Sequence, residues 1–306
     1  MENNSSDCDV KELLQAAEYI ARKAQDVKIE ENNIKKVAAN ITSEFVKDNE
    51  KILKQLYNVF WRPETYPDVT DSKAVDWLFV LHTLNFSLFN PKGTKQWTAG
   101  NSDGYNALCF AIKRAIDEKK PLWNPYYYTK ITECTLKHIF RSDDGKTDIP
   151  LLRERCQILH AVGKVLLNKY KGTFVECVKL SNYNSDNLMK ILFYEFEPYR
   201  DEAIYEGKHV RLLTKANSLV SDIWACYRKN KLFRLNIHNM MSTIFIDYHS
   251  PTVLHHLRIL DYSNRLLNKF KDSDAPLKHG SREELEIRGC SLLAVNKLYT
   301  CVLQKY

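Results

Sequence analysis

The sequence predicts a mainly α-helical protein in one domain, with a small β element. Apolar residues recur at intervals of three and four positions through most of the 306 residues, which is the period of an amphipathic helix. Only nine glycines and nine prolines interrupt the chain. Neither a repeat of fixed period nor a low-complexity linker divides it. We therefore expect residues 1–306 to form a single domain.

The first half of the chain contains four segments of helical period, which are residues 10–27, 33–46, 103–120 and 149–170. In the first of them, Leu13 and Ile20 lie on one apolar stripe. Asp103 is placed to cap the third helix and Pro121 to stop it. Gly172 follows the end of the fourth helix, where a left-handed residue commonly terminates one.

Between these helices, the segment WLFVLHTLNFSLF at 77–89 is apolar on every face. It fits either a buried strand or a short buried helix, because periodicity does not separate the two. It follows a loop rich in proline and aspartate at 62–73. We expect the small β element near 77–89 and 205–213.

The second half also has helical period, in residues 187–196, 215–230, 251–270 and 282–304. Pro251 lies in the first turn of its helix, where the missing N–H costs nothing. The sequence thus predicts a continuous helix from 251 to 270.

The charge of the chain is weakly basic, with a net charge of +7 from 45 basic and 38 acidic residues. These residues are mixed along the sequence, so a solvated surface explains them as well as an anionic ligand does. A nucleic-acid-binding protein usually has a denser basic face.

The eight cysteines form no CxxC pair and have no zinc spacing. Buried thiols in a reducing compartment explain them best. The N-terminus lacks the basic start and apolar run of a leader, and no segment approaches the ~20 apolar residues of a membrane span. We expect a cytoplasmic location, with the nucleus as the alternative.

Common catalytic motifs are missing from the sequence, including phosphate-binding glycine loops, HExxH and GxSxG. The most informative position is Asp247 in IFIDYHSP, an acid between apolar residues and the start of a helix. A partly desolvated carboxylate there can serve acid, base or electrostatic chemistry, with Phe245 and Tyr248 as flat faces for a ring. Equally, Asp247 can be a surface residue that accepts backbone N–H groups at the helix start.

The histidines do not outline a metal site. His249, His255 and His256 are close in sequence, but helical spacing does not bring three of them to one point. The segment PYRDEAIYEGKHVR at 198–211 can hold a phosphate through Lys208 or Arg200, or form a turn with ordinary salt bridges.

Several segments together resemble one known family. TIFIDYHSPTVLHHLRILDYS resembles the FxDYRxPQxL segment of the queuosine salvage family, the queuosine 5′-phosphate N-glycosylase/hydrolases. Further similar stretches occur in the family's order, namely HTLNFSLF, DGYNALCFAIKRAIDE, Tyr127 with Tyr128, IFRSD, PLLRERCQILHAVGKVLLNKYKGTF, PYRDEAIYEGKHV and SREELEIRGCSL. The likeness extends from about residue 16 to the last residue.

The resemblance implies hydrolysis of the N-glycosidic bond of queuosine 5′-monophosphate, which frees queuine for salvage into tRNA, on a helical fold similar to DNA glycosylases. It assigns the catalytic carboxylate to Asp247 and an aromatic that packs on the base to Phe245. Such an anion stabilises the oxocarbenium-like state at C1′ or attacks it. The leaving 7-deazapurine has no N7 to protonate, so the site must assist its departure elsewhere.

The resemblance and the chemistry suggest further contacts to the substrate. Phe86 is a second candidate for stacking on the base, Asn85 and Ser87 for hydrogen bonds to it, and Lys208 for the 5′-phosphate. We expect no metal and no other cofactor. The expected partners are the nucleotide and queuine, with neither a membrane nor direct binding of nucleic acid.

This chain departs from the family pattern at three places. His249 stands where the family usually has Arg, and His82 stands where it usually has Asp. The family commonly continues past the RGCSL helix with an LWD-type segment that helps close the base pocket, and we expect this tail to be absent. A non-catalytic protein that binds the queuine nucleotide or nucleic acid is therefore the alternative function. Glycosylase action on intact nucleic acid is a third.

Overall fold

The computed structural model describes residues 10–48, 65–66, 71–227, 233–236 and 246–304. Phe245 and most of the predicted loop at 62–73 lie outside these residues. Within the described ranges the chain forms 13 α-helices and two short antiparallel strand pairs, which confirms a mainly α fold with a small β element.

In chain order the elements are α1 (Val10–Lys23), β1 (Val27–Ile29), α2 (Glu31–Lys47), α3 (Lys73–Leu84), α4 (Gly104–Asp117), α5 (Pro125–Tyr128), α6 (Glu133–Ile139), α7 (Leu152–Lys169), α8 (Phe174–Leu180), α9 (Ser185–Glu195), a 3₁₀ turn (Glu197–Tyr199), β2 (Glu202–Tyr205), β3 (Lys208–Arg211), α10 (Thr214–Tyr227), α11 (Ser250–His256), β4 (Leu260–Tyr262), α12 (Asn264–Asp272) and α13 (Arg282–Leu303). They fall into two compact units, each assembled from segments distant in sequence.

Unit 1 contains the described residues within 1–59, 200–221 and 237–306. Its helices α1 and α13 pack closely against each other at Gly289 of α13. A Cβ atom added to this glycine would lie only 2.8 Å from Cγ2 of Ile20 in α1. Strands β1 and β4 pair antiparallel, with Val27 opposite Tyr262. Strands β2 and β3 form a hairpin whose turn residues, Glu206 and Gly207, have φ of 46° and 75°. Two positive φ values in a two-residue turn match the twist of the strands.

Unit 2 contains the described residues within 60–199 and 222–236. Helix α3 is its central element, since every residue of α3 after Lys73 is buried. Phe79 of this helix stacks on Phe174 of α8, with ring centroids 4.4 Å apart. Buried aromatic side chains such as these contribute a large part of the apolar area that stabilises a core.

The structure corrects two sequence predictions. The segment at 77–89 contributes no strand, because residues 77–84 belong to α3, which is the buried helix of the two alternatives. The expected β element near 205–213 is present as the hairpin at 202–211. The predicted helix at 251–270 is interrupted, because α11 ends at His256 and β4 pairs with β1 before α12 begins. Arg258 adopts φ of 54° at the break, a conformation that ends a helix.

Candidate active site

Asp247 lies just before α11 and caps the start of this helix. Its Oδ1 accepts hydrogen bonds from the N–H groups of His249 at 2.9 Å and Ser250 at 3.0 Å, and from the Ser250 hydroxyl at 3.0 Å. The Asp247 N–H donates to Ser250 Oγ at 3.1 Å in return. Pro251, as predicted, lies in the first turn of α11 and has no N–H to satisfy. The IDYHSP sequence thus fixes the orientation of its own carboxylate.

The second oxygen of this carboxylate has a different environment. The Asp247 side chain is half-buried, and its Oδ2 has no hydrogen-bond partner within the described part of the chain. The two carboxylate oxygens of Asp247 therefore differ: Oδ1 is engaged at the helix start, and Oδ2 is not engaged by any described residue.

Tyr248 and His249 follow Asp247 in an exposed turn. Their rings lie 4.2 Å apart between centroids and are tilted by 44°. Tyr248 is 39% exposed, so its ring is accessible to a ligand. The other aromatic predicted here, Phe245, lies outside the described residues.

Lys208 begins β3, directly after the turn of the β2–β3 hairpin. Its Nζ lies 4.9 Å from the centroid of the Tyr19 ring, and the Tyr19 hydroxyl donates to the Glu206 carbonyl oxygen at 3.2 Å. Within the described residues no carboxylate pairs with Lys208. An exposed ammonium on a rigid hairpin is available to an anion.

Asn85, Phe86 and Ser87 follow the C-terminal end of α3. The Asn85 and Phe86 side chains are half-buried and Ser87 is exposed, with a positive φ of 44°. The backbone carbonyls of this segment point to Arg155, whose guanidinium carbon lies 4.3 Å from the centroid of the Phe86 ring. One face of Phe86 is therefore covered by a cation.

A buried polar cluster in unit 2 was not predicted from the sequence. Asp222 Oδ2 lies 2.8 Å from His82 Nε2 and accepts hydrogen bonds from the hydroxyls of Tyr66 at 3.0 Å and Tyr105 at 3.2 Å. Burial raises the pKa of both tyrosines, and the Asp222 charge raises it further. His82 Nδ1 is buried and has no hydrogen-bond partner among the residues that the structure describes, so the tautomer protonated on Nε2 satisfies the pair best.

The sequence carried a signal for this cluster and for Arg155. Asp222 is an acid within the apolar stretch of α10, next to Ile223. Asp247 has the same kind of sequence environment, next to Ile246. Arg155 lies on the buried stripe of α7 with Leu159. A charged residue on an apolar helical stripe indicates a buried and paired group.

The predicted site residues divide between the two units. Asp247, Tyr248 and Lys208 belong to unit 1, whereas Asn85, Phe86 and Ser87 belong to unit 2. A groove of about 690 Å³ in unit 1 has none of them in its wall. The wall is formed by residues of α1, β1, β4 and α13, by the loop between α1 and β1, and by Glu31 of α2; its charged residues include Arg22, Asp26, Asp261 and Lys297.

Two further features concern ligands and membranes. No cluster of three or more His, Cys, Asp or Glu side chains suited to a metal ion occurs in the described ranges. The helices described here also include none with the length and apolar character needed to cross a membrane.

Comparison with known proteins supports the resemblance found in the sequence. Residues 65–306 match the family model described as "Queuosine salvage protein". A Bos taurus protein is 35% identical over 95% of this chain and 84% of its own length, and one from Nematostella vectensis is 33% identical over 95% and 83%. A Schizosaccharomyces pombe protein is 29% identical over 96% and 86%. All three relatives are named queuosine 5′-phosphate N-glycosylase/hydrolase.

Proposed function

Because the chain belongs to the queuosine salvage protein family, we propose that it hydrolyses the N-glycosidic bond of queuosine 5′-monophosphate. Water adds to C1′ of the ribose, the bond from C1′ to the base breaks, and queuine leaves with a proton on its ring nitrogen. The names of the relatives, which match over about 95% of this chain, are the observation that carries the proposal.

Asp247 is the residue we assign to the reacting carbon. Cleavage of a ribosyl bond develops positive charge at C1′ and the ring oxygen, and a fixed anion stabilises that charge. Three donors hold Oδ1 in place, so Oδ2 can face the sugar without reorganisation of the side chain. The same oxygen can attack C1′ to form a covalent intermediate, which water then hydrolyses.

The remaining assignments concern the two ends of the substrate. Lys208 binds the 5′-phosphate, since its ammonium is exposed and already positioned over Tyr19. Asn85 and Ser87 hydrogen-bond the base, and Phe86 packs against it. Phe245 and Tyr248 supply further ring faces. Binding of the remote phosphate contributes to rate by placing C1′ against Asp247.

Asp247→Asn separates the two uses of the carboxylate. The amide oxygen of Asn can still accept the bonds that cap α11, whereas the negative charge is lost. We expect base release to fall by at least about 10²-fold while the protein still binds substrate. Mass spectrometry of free queuine, after incubation with queuosine 5′-monophosphate and a chelator, measures this rate.

Two variants serve as controls for Asp247→Asn. Asp103→Asn changes an exposed acid at the start of α4 that makes no capping hydrogen bond, so its activity should equal wild type. Ser250→Ala removes the hydroxyl that bonds Asp247 and should give a smaller loss than Asp247→Asn. Full activity of Asp247→Asn would remove Asp247 from the reaction. Tight binding by wild type without base release would favour a non-catalytic binding protein.

A further inference from the structure

Arg155 is a fully buried cation that pairs with no carboxylate among the described residues. Its relative exposure is 0%, and within that part of the chain its guanidinium donates to backbone carbonyl oxygens alone. Nε donates to Pro150 at 2.9 Å and Nη1 to Leu84 at 2.5 Å. Nη2 donates to Phe86 at 2.5 Å and Ser87 at 3.0 Å. Two of the four acceptors belong to the segment that follows α3, and a third, Leu84, is the last residue of that helix.

The charge of Arg155 persists in this environment. Burial lowers the pKa of the guanidinium to about 9, which leaves it protonated at neutral pH. Part of the compensation comes from the Leu84 carbonyl, which lies at the C-terminal end of α3, where the helix dipole is negative. The ring of Phe86 adds a cation–π contact at 4.3 Å.

Packing alone does not require a cation at this position. An apolar side chain of similar volume usually fills such a site at lower cost, because a buried charge must be desolvated. What an apolar residue cannot do is bind several carbonyl groups at once. The planar guanidinium fixes the directions of the Leu84, Phe86 and Ser87 carbonyls, and hence the orientation of the peptide planes between them.

We propose that Arg155 is a positioning residue that sets the conformation of Asn85–Ser87 for binding the base of the substrate. The proposal rests on the function proposed above, in which these side chains contact the base. Arg155 itself does not touch substrate, because it is inaccessible and its donors are engaged by carbonyls. Its effect reaches the ligand through the backbone that holds Asn85 and Ser87.

The positive φ of Ser87 fits this role. A non-glycine residue at φ of 44° is held there by its surroundings rather than by its own preference. The Ser87 carbonyl is one of the four groups bound by Arg155. Loss of the guanidinium should therefore let this residue relax toward an ordinary conformation.

The test compares Arg155→Lys and Arg155→Met with Arg153→Lys. Arg153 lies on the same helix, but its side chain is 75% exposed and faces Glu133 only at 4.0 Å. For each variant, hydrogen exchange followed by mass spectrometry reports on residues 85–88, and thermal unfolding reports on the whole fold. The kinetic readouts are kcat and KM with queuosine 5′-monophosphate and the Kd for queuine.

We expect Arg155→Lys to remain folded, to exchange faster at residues 85–88 and to lose up to about 10²-fold in kcat/KM, with weaker binding of queuine. Arg155→Met should lose at least as much, and Arg153→Lys should match wild type. In a further variant, Arg155→Ala, guanidinium ion at millimolar concentration should partly restore queuine binding without raising the Tm, whereas a purely structural role predicts that binding and Tm recover together.

Unchanged exchange at residues 85–88 together with unchanged queuine affinity in Arg155→Lys would overturn the proposal, whatever the loss in thermal stability. Failure of the proposed function gives a different result, because wild-type protein would then release no queuine. In that case the exchange data alone decide whether Arg155 positions the segment. Faster exchange confined to residues 85–88 supports it, and wild-type exchange rejects it.

Discussion

Asp76 is a buried acid whose titration should be visible in the stability of the protein. Its carboxylate accepts hydrogen bonds from the Phe174 N–H at 2.6 Å and the Thr173 hydroxyl at 2.8 Å, at the start of α8. Burial raises the pKa of Asp76 to about 6 from its ordinary 3.8, against the opposing effect of these bonds. The variant Asp76→Asn keeps an acceptor for the Phe174 N–H and cannot ionise.

Proton uptake by Asp76 decides whether the free energy of unfolding rises or falls with pH. Between pH 3.8 and about 6 the folded state holds the Asp76 proton more tightly than the unfolded chain does. The stabilising contribution of the protonated acid is therefore complete below this window and is lost as pH rises through it. A rise of about 2 pKa units corresponds to about 3 kcal/mol, of which about 2 kcal/mol falls between roughly pH 4 and 7.

Urea unfolding of wild type and Asp76→Asn at several pH values between 4 and 7 measures this difference. The free energy of unfolding of Asp76→Asn, relative to wild type, should increase by about 2 kcal/mol across this range. Asp103→Asn, at an exposed position, should show no such trend. A relative stability of Asp76→Asn that stays constant or decreases with pH would refute the assignment of the raised pKa to Asp76.

Three further outcomes follow from the described contacts. Lys208→Met should raise KM for queuosine 5′-monophosphate about tenfold or more and leave the slow reaction of the free nucleoside unchanged; equal effects on both substrates would place the phosphate elsewhere. Asp222→Asn should lower the free energy of unfolding by about 2–4 kcal/mol in urea, because three buried donors lose their charged acceptor. Gly163→Ala should lower the free energy of unfolding by about 1–3 kcal/mol, since the added Cβ would lie 2.4 Å from Thr129 Cγ2 and 2.6 Å from Tyr128 Cε2; an unchanged Tm would contradict this.

Helices with one face in water were predictable from their own residues. Helices α1, α2 and α7 follow the periodic segments of the sequence within a few residues, because the alternation of apolar and polar positions reports directly which face is buried. Their ends were predictable where local chemistry sets them. Pro251 in the first turn of α11 is an example.

Elements that depend on partners distant in sequence were not predictable. Helix α3 is buried on all sides, so its sequence has no period that separates a helix from a strand. Strand β4 exists because Leu260–Tyr262 pair with Val27–Ile29, more than 200 residues earlier. In isolation the same residues have the spacing of a helix.

At the candidate site, the sequence alone shows that an acid comes just before a helix and that a serine and a proline open this helix. The same local sequence sets the hydrogen bonds of Asp247 Oδ1 at the helix start, because its partners His249 and Ser250 are two and three residues away. The tertiary structure was needed to show that Oδ2 has no partner in the described chain. It also decided that Arg155 binds the carbonyls after α3 and that Asp222 pairs with His82. The physical reason is that hydrogen bonding within a helix or turn follows from neighbouring residues, whereas the partner of a buried charge is set by whichever distant element packs against it.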